Sequence, residues 1–146
     1  MPLFDPASFL RVLGRPSPYR ECLQDVRSFR AILRGIPGQV RQSAINAAYE
    51  AGLVYVCMRN IAMAASWELC DRPDFSRYSV FNLKGFRGCP ISVEEFDVAM
   101  HCRMASQRGR EPPVGAMASF ILDVYQRLDP WLNELEDLLM RKADGR

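Results

Sequence analysis

Histidine, lysine and cysteine pairs are what this 146-residue chain largely lacks. With one histidine, His101, and five cysteines that include no Cys-x-x-Cys, a Cys/His zinc centre has little support, and no metal or other cofactor is expected. The cysteines (Cys22, Cys57, Cys70, Cys89 and Cys102) are odd in number, which argues against a disulfide framework and for a reducing, cytoplasmic setting. Three of them fall within helical patterns, as small buried apolar residues do. Of the 19 Lys and Arg, only Lys84 and Lys142 are lysines. The positive charge therefore sits on planar guanidinium groups that can hold carboxylate or phosphate through two bonds. Gly-x-Ser-x-Gly, His-Glu-x-x-His and a glycine-rich phosphate loop are all missing, which sets aside an ordinary hydrolase or metalloenzyme. The opening Met1-Pro2-Leu3-Phe4-Asp5-Pro6 has neither the basic start nor the apolar run of a secretory signal. The longest charge-poor stretch, residues 44–67, carries Glu50 and Arg59 near its middle and is rich in alanine. That composition fits a buried bundle helix better than a membrane span, so no membrane partner is expected. A net charge of +2 does not by itself imply nucleic acid.

What is present is apolar content of 49%, enough for one core, and clear helix punctuation. Asp5-Pro6 starts a short N-terminal helix that Gly14 closes, within an arm of residues 1–17. Ser17-Pro18 starts a second helix with an apolar stripe of Tyr19, Leu23, Val26 and Leu33, predicted to end at Gly35 ahead of a Pro37-Gly38 turn. A third, apolar on nearly all sides, is predicted from about Val40 to Leu69 as the central element. Residues 70–92 read as an irregular connection with one or two helical turns, pinned by Phe75, Tyr78, Phe81 and Phe86. Ser92 and Glu95 form a capping box, with Ile91 and Phe96 in staple positions, for a helix to about Gln107 that ends at Gly109. The last helix is predicted over residues 115–142, with a seam of Met117, Ile121, Val124, Leu128, Trp131, Leu135 and Leu138 and a kink or restart at Asp129-Pro130. The fold class is an all-α up-and-down bundle of four main helices in a single domain spanning residues 1–146. Residues 1–44 hold seven positive and three negative groups, residues 115–146 four and six, so a basic front half is expected against an acidic tail.

The candidate chemistry is cationic. Arg103 shares a helix face with Phe96, Ala99 and Met100, and a charge there needs a partner. That partner is either Glu50 or Glu68, or the phosphate of a ligand. Arg59, followed by Asn60, poses the same choice between a buried carboxylate network and a ligand. His101 is the only histidine available as a base, but it projects about 200° from Arg103 on a helix. Arg20, Arg27, Arg34 and Arg41 recur every seven residues, either as a strip for RNA or as solvated cover along the apolar stripe. Arg108 and Arg110 flank Gly109 in a basic turn that complements the helix dipole.

Three segments together resemble the HEPN superfamily of small helical bundles, often encoded beside minimal nucleotidyltransferases. They are the helix Ala47-Ala48-Tyr49-Glu50 through Met58-Arg59-Asn60, the run Pro90-Ile91-Ser92-Val93-Glu94-Glu95-Phe96-Asp97 leading to His101-Cys102-Arg103 and Arg108-Gly109, and the closing seam helix. Asp74-Phe75-Ser76-Arg77-Tyr78-Ser79 also looks like the bundles that accompany nucleotidyltransferases. The likeness covers about residues 20–140. It implies an arginine–histidine ribonuclease motif, but no histidine follows His101, so the catalytic pair is incomplete. What it implies is a non-catalytic bundle that binds nucleotide or RNA phosphate through Arg103, Arg108, Arg59 and Asn60. It further implies a homodimer, or a separate nucleotidyltransferase partner in a toxin–antitoxin-like pair. The partner interface is expected at Met117, Ile121, Val124 and Leu128. Two alternatives stand beside it: a divergent ribonuclease using Arg103 and His101 across a dimer, and a helical adaptor that binds no nucleic acid.

Overall fold

A computed structural model describes residues 21–42, 46–111 and 117–145. These form α1 (Cys22–Gln42), α2 (Ala47–Leu69), α3 (Val93–Arg108) and α4 (Ala118–Asp144), with a short 3-10 turn at Ser79–Phe81 and, among the described residues, no strand. The all-α bundle is therefore observed. The expected N-terminal helix and the Ser17-Pro18 start lie outside the described residues. No described helix is long and apolar enough to cross a membrane.

Helix α2 is central and packs on α1, α3 and, less extensively, α4, while α1 also packs on α4. Gly52 and Tyr55 of α2 lie against Arg103 and Phe96 of α3, so these two helices run antiparallel. The core holds Leu33, Ile36, Met58, Ile61, Phe96, Leu128, Trp131 and Leu135, each almost wholly removed from water. Each such side chain contributes about 1.5–3 kcal/mol.

That scale explains the first correction. Helix α1 does not end at Gly35, and Pro37-Gly38 is not a turn: the helix runs on to Gln42 with Pro37 inside it. A proline in a helix interior costs about 3 kcal/mol. Continuing the helix buries Ile36, Pro37 and Val40 in line with Cys22, Val26 and Leu33, which offsets that cost, while Gly35 and Gly38 stay on the exposed side. Val40 therefore belongs to α1, and α2 starts at Ala47 rather than at Val40. Pro130 likewise neither ends nor restarts α4, which is one helix from Ala118 to Asp144. The proline sits on the exposed side while Leu128, Trp131 and Leu132 around it are buried.

The basic front half does meet the acidic tail, through an unforeseen residue. Arg30, only 2% exposed, donates from Nη1 to Glu136 and from Nη2 to Asp129, both at 2.8 Å. Arg27 lies 3.5 Å from Glu136. The 70–92 connection is anchored as expected by Tyr78, Phe81 and Phe86, which pack against the core. Tyr78 Oη donates to Asp97 at 2.6 Å, and Trp131 Nε1 donates to the Arg87 carbonyl at 3.0 Å. Phe75 departs from the expectation: it is 55% exposed, with its ring against Trp67.

Candidate functional site

Helix α3 carries His101, Arg103 and Arg108, and its ends are fixed locally. Ser92 accepts the Glu95 N–H at 3.1 Å while Glu95 accepts the Ser92 N–H at 2.9 Å, closing the capping box. Glu95 also receives Arg127 of α4, which donates in addition to Asp123 at 2.7 Å and to the Pro90 carbonyl at 3.1 Å. The Arg127 guanidinium beside it holds the Glu95 carboxyl down at about 2. At the other end Gly109 takes the left-handed conformation (φ 63°), which only glycine adopts without strain. The Arg110 N–H then turns back to the Ala105 carbonyl at 2.8 Å.

This ending brings Arg110 round beside the last turn of α3. His101, Met104, Ala105, Arg108, Arg110 and Glu111 line one open pocket of ≈ 270 Å³. His101 and Arg108 are seven residues apart, two helical turns, and so share a face. Neither arginine has an ion pair among the described residues, although Glu111 contributes one carboxylate to the pocket wall.

Arg103 lies elsewhere. Its backbone abuts Gly52, where a Cβ would come within 2.9 Å of the Arg103 Cα, so only glycine fits this helix crossing. Arg103 is half-buried, and no ion pair to it is seen among the described residues, Glu50 included. It does not line the His101 pocket, so the structure joins His101 to Arg108 and Arg110 rather than to Arg103. Burial raises the Glu50 carboxyl above its ordinary value.

Arg59 is exposed and has no ion pair among the described residues, so it forms no buried carboxylate network. It follows Gly52 by seven residues and stands about 10 Å further along the same side of α2. Arg59 is solvent-facing, with half-buried Asn60 next to it in the chain.

The expected partner face is turned inward. Ile121, Val124 and Leu128 are each 1–2% exposed, because the α4 seam fills the chain's own core; Met117 alone, at 66%, faces solvent. Nucleophilic chemistry gains no support from the thiols. Burial pushes Cys57 and Cys89 up to about 11, which keeps both protonated near neutrality. No cluster of three His, Cys, Asp or Glu among the described residues could hold a metal.

Sequence reasoning passed over Arg30, although Val26, Arg30, Leu33, Pro37 and Val40 alternate spacings of four and three and so place it in the buried stripe. It also left Glu111 out, a residue reached only once the Gly109 turn is known.

Comparison with protein-family models, curated proteins and solved structures finds no match to this chain.

Proposed function

We propose that this protein is a helical bundle that binds the phosphate of a nucleotide or RNA, as a non-catalytic relative in kind of the HEPN bundles it resembles, and works as a homodimer. The observation that carries the reading is the convergence of Arg108 and Arg110, neither with an ion pair among the described residues, on one open pocket with His101. Guanidinium groups hold phosphate oxygens bidentately, and an imidazole beside them adds a further donor. Arg103, half-buried on the same helix, and Arg59, exposed on α2, are further cations that a longer polyanion would reach.

The test is anisotropy of a fluorescent single-stranded RNA titrated with the protein at several salt concentrations. Affinity that falls steeply with salt, and falls at least about tenfold in Arg108→Ala/Arg110→Ala, supports the reading. Binding absent at low salt, or indifferent to both arginines, overturns it. Co-expression with candidate nucleotidyltransferases, followed by pull-down, tests the two-component version.

One observation favours a second reading. His101 shares its pocket with two arginines and Glu111, an acid–base group beside phosphate ligands. A divergent ribonuclease would use His101 to exchange the 2′-hydroxyl proton, the step for which a positioned imidazole is suited. Cleavage of the same RNA that disappears in His101→Ala, with binding retained, would put this reading first.

A further inference from the structure

Helices α1 and α4 each carry a proline in their interior, and both prolines line one pocket of ≈ 460 Å³ between the two helices. That volume lies within the range that small-molecule sites occupy. The core does not explain Pro130: its ring is exposed, so no burial offsets the cost of proline inside a helix, about 3 kcal/mol. The two proline rings, with Leu122 and the Tyr125 ring, give the pocket apolar walls. Each proline also lacks the N–H that would bond the carbonyl four residues earlier. Leu33 and Gln126 each lose that helical donor, and Gln126 stands in the pocket wall.

The charged groups of this pocket are of two signs and come from opposite helices. Arg41 of α1 is exposed and has no ion pair among the described residues. Arg34, one turn before Pro37 and likewise exposed, acts electrostatically on Tyr125. Asp129 of α4 supplies the negative charge. Arg30 Nη2 and, at 3.5 Å, the Tyr125 hydroxyl both donate to its Oδ1, and no described residue donates to Oδ2. Arg30 also serves Glu136, so one guanidinium is divided between two carboxylates and neutralises Asp129 only in part. A ligand that satisfies this arrangement carries a carboxylate for Arg41, a cationic donor for Asp129 and an apolar body for the walls. A phosphate meets the first requirement alone and is repelled by Asp129. We propose that the α1–α4 pocket binds a free amino acid with an aromatic or large aliphatic side chain, its carboxylate on Arg41, its ammonium on Asp129 Oδ2 and its side chain against Pro37, Leu122 and Pro130. The pocket shares no lining residue with the His101 pocket, and the proposal does not rest on phosphate binding there.

Isothermal titration calorimetry of the full chain with L-phenylalanine tests the site. It is run beside N-acetylphenylalanine, which lacks the ammonium, and phenylalaninamide, which lacks the carboxylate. Binding of L-phenylalanine is expected, weakened at least about tenfold by either blocking group, since each removes a charge-assisted hydrogen bond. Arg41→Ala should weaken L-phenylalanine by a similar factor and leave phenylalaninamide unaffected, which places the carboxylate on that residue. Gln126→Trp, at an exposed position of the wall, should fill the pocket and abolish binding without touching the core. Circular dichroism confirms that both variants fold. Absence of binding by phenylalanine, leucine and tryptophan up to about 10 mM overturns the proposal. So does binding that Gln126→Trp leaves intact, or N-acetylphenylalanine held as tightly as the free amino acid. Arg108→Ala/Arg110→Ala should leave these titrations unchanged, so the amino-acid site and the phosphate site are tested apart.

Discussion

Arginine is used in two ways in this molecule, on two surfaces. At the packing of α4 against α1 and the start of α3, every arginine turned inward is neutralised: Arg30 by Asp129 and Glu136, Arg127 by Glu95 and Asp123, with Arg27 beside Glu136. On α3, in the turn after it and on the exposed side of α2, Arg103, Arg108, Arg110 and Arg59 have no ion pair among the described residues. The first set is spent on holding helices together. The second makes no ion pair between the described helices, and the function proposed above assigns its charge to phosphate. Net charge does not reveal this division, because the paired arginines cancel the acidic tail and leave a small positive sum in which the unpaired ones are hidden.

The contrast predicts a hierarchy of stability effects, with Arg30 first. Arg30→Ala should cost about 3 kcal/mol in urea denaturation, because breaking a buried ion pair leaves the remaining charge uncompensated. Asp129 and Glu136 keep some access to water, at 38% and 16% exposure, which holds the effect at the lower end of the range for buried pairs. A loss below about 0.5 kcal/mol would show that Arg30 is no more structural than the arginines of the pocket. Gly52→Ala comes next, at about 2 kcal/mol. The new methyl meets the Arg103 backbone rather than a flexible side-chain end, so α2 and α3 must separate. A shift in thermal midpoint, accompanied by changed accessibility of Arg103, would register it.

The Arg127–Glu95 pair gives a smaller effect with a definite pH signature. The Glu95 carboxyl titrates at about 2 when folded, against an ordinary value of 4.5. A carboxyl depressed by folding stabilises above its unfolded pKa, and that stability is lost as pH falls from about 4.5 towards 2. Both side chains keep contact with solvent, at 25% and 34% exposure, so the contribution is about 1 kcal/mol after screening. Glu95→Gln should flatten the acid limb of stability against pH in that window and leave the curve above pH 5 parallel to wild type.

The paired region was partly legible in the sequence and the unpaired one hardly at all, for physical reasons. Ser92, Glu95 and Gly109 act within a few residues of themselves, so the ends of α3 could be read directly, and the observed helix differs from the expectation by one residue at its C-terminus. Leu69 as the end of α2 was equally readable. Gly35 and Pro37 misled because their local preference was weighed without the burial of Ile36 and Val40, which only the packed bundle supplies. Arg30 looked like one more surface arginine until its carboxylates, about a hundred residues away, were brought to it. The His101 pocket was missed as a unit for the same kind of reason. His101 and Arg103 are close in sequence but on different faces, whereas His101 and Arg110 meet only because Gly109 reverses the chain.

The smallest stability effect is the one that decides what the unpaired arginines are for. Arg108 and Arg110 are exposed and hold no carboxylate among the described residues, so Arg108→Ala/Arg110→Ala should change unfolding free energy by no more than about 0.5 kcal/mol. A slight destabilisation is expected from Arg108, whose charge complements the helix C-terminus, and none from Arg110, which lies past it. RNA affinity should respond in the opposite proportion. An arginine that neutralises one phosphate of a single strand adds about 0.7 to the slope of log affinity against log salt, so the double variant should bring that slope down by about 1.4 if each arginine holds one phosphate. A chain whose fold ignores these substitutions while its salt dependence falls by that amount has separated structural from functional arginine by direct measurement. If Arg108 and Arg110 instead proved as costly to remove as Arg30, their charge would belong to the fold, and the division between the two surfaces would fail at its most exposed point.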